Sequence, residues 1–136
     1  MRKMLFAVLL VLCFTQAYAK DPIPEALLNA KTAVVENARA EQKDIDKLCD
    51  ELKKWGRFEL IQDRGKADIL ITLTRGMKEQ MVTGPGGRMQ NQHSLVNRIN
   101  IFKTSDNSLL WSDETSTYSK DPKALVSNLK NRLKDK

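Results

Sequence analysis

The sequence predicts an α/β (α+β) fold: a single-layer mixed β-sheet with two helices packed on one face, in the order βαβββα. Three observations predict it. A helical stripe of Ile45, Leu48, Leu52 and Trp55 lies between two short apolar runs, and strand, helix, strand on this scale implies a right-handed parallel crossover. Strand-like alternation then takes over in residues 69–74, 96–103 and 109–116. A second helical stripe, Leu125, Leu129 and Leu133, follows, so two apolar helix faces have one sheet to cover.

Each element has a local cause. In residues 32–37 the run Ala33-Val34-Val35 suits a strand buried on both sides. The helix of residues 41–55 ends at Gly56, a residue that leaves a helix through the left-handed region without strain. Residues 58–63 form the second strand, with Phe58 and Leu60 on one side and Glu59 on the other. Gly84-Pro85-Gly86-Gly87 is a loop or turn apex. Thr104 to Ser108 is a hairpin turn in which Asn107 takes the left-handed position. Asp121-Pro122 caps and opens the last helix, and Lys130, Arg132, Lys134 and Lys136 occupy its carboxyl end, where the helix dipole favours positive charge.

The domain organisation follows from the first thirty residues. Arg2 and Lys3, an apolar run over residues 5–14, and Ala17-Tyr18-Ala19 have the order of a secretory signal cleaved after Ala19. Cys13 lacks the small preceding residue of a bacterial lipoprotein signal, since Leu12 stands there. Residues 20–30, with Pro22 and Pro24, read as an extended leader, and residues 31–136 as a single α/β domain. Residues 20–119 hold 15 basic and 15 acidic residues, so the net charge of +4 left after the signal sits in the last seventeen. Cys49 is the one cysteine left after the signal, which excludes an intrachain disulfide, and one His without a Cys/His cluster speaks against a zinc or iron–sulfur site.

Three stretches, Lys54-Trp55-Gly56-Arg57-Phe58, Lys66-Ala67-Asp68-Ile69-Leu70 and Leu109-Leu110-Trp111-Ser112, resemble in this order a group of small exported bacterial proteins of unknown function. The resemblance covers about residues 32–133. The wider architecture is similar to the amino-terminal domain of the translocation protein TolB and to related α/β modules of envelope assembly factors. There too a helix precedes a Phe-led strand and an Ala-Asp pair opens the next. The resemblance implies a periplasmic location and structural motifs: Trp55 capping its helix stripe, Phe58 starting the strand beneath it, Trp111 sharing a strand face with Leu109. It supplies no catalytic residue. Many relatives have Gly where this chain has Asn107, a position Asn tolerates.

Candidate chemistry is sparse. His93 and Ser94 are neighbours on a strand and point to opposite faces, so they do not form a nucleophile–base pair. Gly84-Pro85-Gly86-Gly87-Arg88 lacks the Lys-Ser/Thr and helix of a phosphate loop. Cys49, on the flank of the first stripe, reads as a small buried hydrophobe. No catalytic residue, metal or cofactor is expected.

Two features suggest contact. Residues 75–95 are far longer than an ordinary hairpin loop and read either as a polar loop without a partner, the plainer reading, or as a β-arm running out to the glycine apex. In the arm, Met81 and Met89 flank the tip, and with Arg88 and His93 they are the partner-binding candidates. The basic carboxyl-terminal helix offers Lys123, Lys130 and Lys134 on one stripe, which suits weak contact with anionic lipid, although solvated lysines are again the plainer reading. Nucleic acid is not an expected partner. The sequence thus points to a non-catalytic interaction module docking on an envelope protein through the arm or a sheet edge. A small-ligand or anion-binding protein using a cleft between helix and sheet is the alternative, and a hydrolase built on His93 a distant third.

Overall fold

The computed structural model describes residues 23–115 and 121–134. The expected signal of residues 1–19 lies outside the described residues. The elements are α1 (Glu25–Leu28), β1 (Thr32–Asn37), α2 (Gln42–Trp55), β2 (Glu59–Leu60), β3 (Ile69–Thr83), β4 (Met89–Lys103), β5 (Leu109–Glu114) and α3 (Pro122–Lys134), with a single 3-10 turn, Pro85–Gly87, between β3 and β4.

The five strands form one mixed sheet in the order β2-β1-β3-β4-β5. β1 runs parallel to both its neighbours, and the β3–β4 and β4–β5 pairs are antiparallel. Side chains alternate across a strand, so Ile69, Ile71 and Leu73 of β3 and their cross-strand partners Ile101 and Ile99 share one face. That face carries the main core, where the strands meet Leu27, Ile45, Leu48, Leu52, Leu125, Val126 and Leu129 of the helices. The reverse face has a smaller cluster, Val34, Leu70 and Ala67 with Ile61 and Phe102 against them. β1 is therefore apolar on both sides, as its Ala-Val-Val run predicts.

α2 ends as expected: Gly56 sits at φ 73° and its N–H donates to the Leu52 carbonyl at 3.1 Å. Asn107 takes φ 59° in the β4–β5 turn. The Asp121 carboxylate accepts the Lys123 N–H at 2.9 Å and caps α3.

Four expectations need correcting. The extended leader over residues 20–30 contains the helical turn α1, and Ile23 and Leu27 are buried in the core. Proline restricts the residue before it, and Pro24 stands just ahead of Glu25, so nothing prevents a turn from starting there. Among the described residues this one-turn helix joins the two expected ones on the main face. The second strand is shorter than residues 58–63, because beyond Glu59–Leu60 the chain leaves the edge to lay Ile61 and Ala67 over the reverse face. Trp111 does not share a face with Leu109. A bulge pairs Ile101 with Trp111 and Phe102 with Leu109, leaving Leu110 as the extra residue. Leu110 and Trp111 both pack on the main core, and Leu109 is 56% exposed. Residues 75–95, finally, are no irregular loop: β3 and β4 stay paired without interruption from Ile69↔Lys103 to Thr83↔Met89.

The Lys66-Ala67-Asp68 stretch is a structural fastener. One Asp68 carboxylate oxygen accepts the backbone N–H groups of Lys31 at 2.9 Å and Thr32 at 3.2 Å, and the Asp68 N–H reaches the Thr32 hydroxyl at 2.9 Å. This ties the start of β1 to the start of β3. The two backbone donors, Lys31 first, hold the Asp68 carboxyl below its ordinary value of 3.8. A carboxylate whose folded pKa is depressed stabilises the fold above its unfolded pKa, and that contribution is lost as pH falls through the folded value. Acid unfolding is therefore expected to steepen below the ordinary Asp value, and in the Asp68→Asn variant urea midpoints measured across that range should fall less steeply with pH.

Candidate functional site

Beyond the helices, β3 and β4 continue as a two-stranded ribbon with which no other strand pairs among the described residues. Its root is held on both sides. On the helix side the Arg75 guanidinium bonds the Glu41 carboxylate at the start of α2, and the Asn97 amide donates to Asp44 at 3.1 Å. On the reverse side Glu114 of β5 accepts from Lys78 at 2.7 Å and Arg98 at 3.0 Å. From Gly76 to Thr83 the ribbon then extends roughly 25 Å at the usual rise per strand residue.

The apex is built by glycine. Gly86 and Gly87 adopt φ 82° and 77°, in the left-handed region that other residues enter at a cost, and the Gly84 N–H closes on the Arg88 carbonyl at 2.7 Å. The alternation that buries Ile69, Ile71 and Leu73 carries on along the arm, so Met77, Glu79, Met81 and Thr83 stand on the same face. Their cross-strand partners there are Leu95, His93, Asn91 and Met89. Met77, Met81 and Met89 are 66%, 57% and 61% exposed. The reverse face of the arm carries Lys78, Gln80, Gln90, Gln92 and Ser94 with Val82. The ribbon is thus amphipathic, with a methionine-bearing face continuous with the core and a largely amide face behind it.

Of the sequence candidates, Met81, Met89 and His93 come together on this face, and Arg88 sits exposed at the apex. His93 Nδ1 lies 3.5 Å from Glu79 Oε1, its cross-strand neighbour. Met77 and Leu95 complete the face: Met77 alternates with Glu79 and Met81 in the sequence itself, and Leu95 follows as its cross-strand partner.

Elsewhere the geometry offers less. Ser94 projects from the face opposite His93, and the Ser112 hydroxyl is bonded to Asn100 at 2.9 Å. Cys49 is half-buried, and desolvation pushes its thiol pKa up, away from a reactive thiolate. Among the described residues no group of three His, Cys, Asp or Glu side chains is placed to hold a metal ion. A groove of about 470 Å³ lies beside α1, with Arg64, Lys66, Asp68 and Lys103 in its lining. Arg64 is turned to Asn107 at 3.1 Å and to Glu36 at 3.8 Å. The lysine stripe on α3 is divided: Lys123 and Lys134 are exposed, whereas Lys130 Nζ rests 5.9 Å from the Trp55 ring centroid. Among the described residues no helix is long and apolar enough to cross a membrane.

No family model matches the chain, and no curated protein matches it. Solved structures similar to it include the PelC dodecamer from Paraburkholderia phytofirmans, at 14% identity over 83% of this chain and 93% of that one, with a TM-score of 0.43. Uncharacterized lipoprotein B from Nitrosomonas europaea is similar at 11% identity over 82% and 85%, with a TM-score of 0.44. Lipoprotein GNA1162 from Neisseria meningitidis is similar at 11% identity over 78% and 99%, with a TM-score of 0.38. Likeness at this level carries no argument about function.

Proposed function

We propose that this chain is an exported, non-catalytic interaction module of the bacterial envelope, released into the periplasm by cleavage after Ala19, and that its β3–β4 arm docks on a partner protein. One observation carries the reading: three exposed methionines stand on a single face of an ordered ribbon whose root is fastened on both sides. Fastening lowers the entropy lost on docking, and the unbranched thioether chains adapt to an irregular apolar surface. Arg88 at the tip and His93 beside Glu79 supply the polar contacts that set orientation.

Photo-crosslinking residues placed at Met81 and Met89 test this in native envelopes at low and high salt. One discrete foreign protein captured at both salts is the expected result. Absence of any adduct at either salt would overturn the reading, and adducts lost at high salt would transfer the contact to anionic lipid and the lysines of α3. A shortened chain, with residues 79–93 replaced by an Asn-Gly turn closing Lys78 on Ser94, is expected to lose capture yet keep its melting temperature.

A further inference from the structure

We infer that the outer edge of β4 pairs antiparallel with the same edge of a second copy of this chain, about a twofold axis at Gln92. The inference rests on the arm as an interaction element but uses its edge, leaving the methionine face to the partner proposed above.

The backbone fixes which groups are available. In an extended strand a residue's N–H and C=O point to the same side, and the side alternates along the chain. The Asn97 carbonyl accepts the Thr115 N–H at 2.9 Å and the Lys103 N–H donates to Ser108 at 2.8 Å, both toward β5. The Arg88 carbonyl instead bonds Gly84, toward β3. Met89, Asn91, His93 and Leu95 therefore aim both their backbone groups outward, and β5 pairs with β4 only from Arg98 to Phe102. Among the described residues no strand covers that edge.

Its composition is equally unusual. Proteins keep exposed edges single by placing charges, above all Lys, along them. Residues 89–97 contain no Lys, Arg, Asp or Glu, the longest such run after residue 19. The β3 side of the same arm carries Arg75, Lys78 and Glu79. An edge without charge meets its own copy without repulsion, and a twofold contact requires such self-complementarity.

Of the registers centred on Gln92 and His93, the first is favoured. With the axis at Gln92, Met89 lies opposite Leu95 of the second copy and Asn91 opposite its His93, so apolar meets apolar and amide meets imidazole. The four outward N–H groups of each copy then make eight hydrogen bonds, close to the roughly ten of an ordinary interface. Moving the axis to His93 sets Leu95 against Asn91, and Met89 against Asn97, whose carbonyl is already taken. In the Gln92 register the two methionine faces lie side by side on one continuous sheet.

The test uses the mature chain with Cys49→Ser. Gln92 would face its own copy in a non-hydrogen-bonded pair, with Cα atoms about 4.5 Å apart, within disulfide reach. Under a mild thiol–disulfide buffer Gln92→Cys is expected to give a covalent dimer at least roughly tenfold faster than Gln90→Cys, which would face Ser94 of the second copy. Combining Gln90→Cys with Ser94→Cys should restore crosslinking. By sedimentation the unsubstituted chain should be dimeric, with a melting temperature that rises with protein concentration, and Asn91→Pro, which removes an N–H that β3 does not use, should be monomeric, folded and without that concentration dependence. A chain that stays monomeric at high concentration, or equal crosslinking through Gln90→Cys and Gln92→Cys, would overturn the inference. A monomer that still captures a foreign protein through Met81 sinks the dimer alone, and a dimer that captures nothing sinks the partner reading alone.

Discussion

Phe58→Ala is expected to destabilise the domain by about 3–5 kcal/mol, measured as a shift in urea unfolding followed by tryptophan fluorescence. Phe58 is 4% exposed and joins the end of α2 to the main core through a turn that has no slack. Gly56 turns the chain back, Arg57 donates to the Leu28 carbonyl at 3.0 Å, and the Phe58 ring meets Trp55 edge-on at 5.5 Å and 86°. Truncation leaves a void that none of these neighbours is free to fill, and Trp55 loses the ring it stands against. An unfolding midpoint within error of the parent would show that the turn collapses onto the gap and that the Trp55–Phe58 pair contributes little.

Leu27→Ala is expected to cost about 2–5 kcal/mol, which corresponds to a fall of roughly 10 °C or more in melting temperature for a chain of this size. Leu27 comes from a four-residue helix too short to be stable by itself, yet its side chain is wholly buried among the strands and the longer helices. The substitution separates two views of the amino-terminal segment. A leader lying on the surface would give no change by calorimetry; a segment that closes the core gives the full loss.

The parts of this fold legible in the sequence are those where one physical cause dominates. Ile45, Leu48 and Leu52 repeat at helical spacing, Gly56 and Asn107 occupy positions that demand a left-handed backbone, and Asp121-Pro122 caps and starts a helix, so these elements follow directly. Where causes compete, the reading gives out. One helical turn at Glu25–Leu28 is too short to display a period, and its burial is decided by tertiary packing. Leu109-Leu110-Trp111 is apolar throughout, so alternation does not identify the bulged residue. Arg39 at φ 77° carries no composition signal, since arginine has no preference for that backbone.

The arm shows the same division. Glycines at its tip mark a turn, and Met81 and Met89 follow from standing on either side of it. Whether it is ordered stays open in the sequence, because Glu79, Thr83, Asn91 and His93 dilute the alternation of Met77 and Met81 until a polar loop is the plainer of the two readings. What decides the matter is the unbroken register inherited from Ile69 and Ile71, a long-range property that a local window does not contain.

The placement of β1 shapes how the newborn chain assembles. It is the second strand in the sheet order, and both of its neighbours, β2 and β3, are synthesised after it. The β3–β4 ribbon, by contrast, is assembled entirely from neighbouring sequence and closes as soon as Lys103 is available, with little chain entropy to overcome. Ala33, Val34 and Val35 therefore wait without a sheet, apolar on both sides, until the residues from Glu59 to Leu73 arrive to bracket them. During that interval the most adhesive surface of the molecule is its future interior rather than the arm that projects from the finished fold.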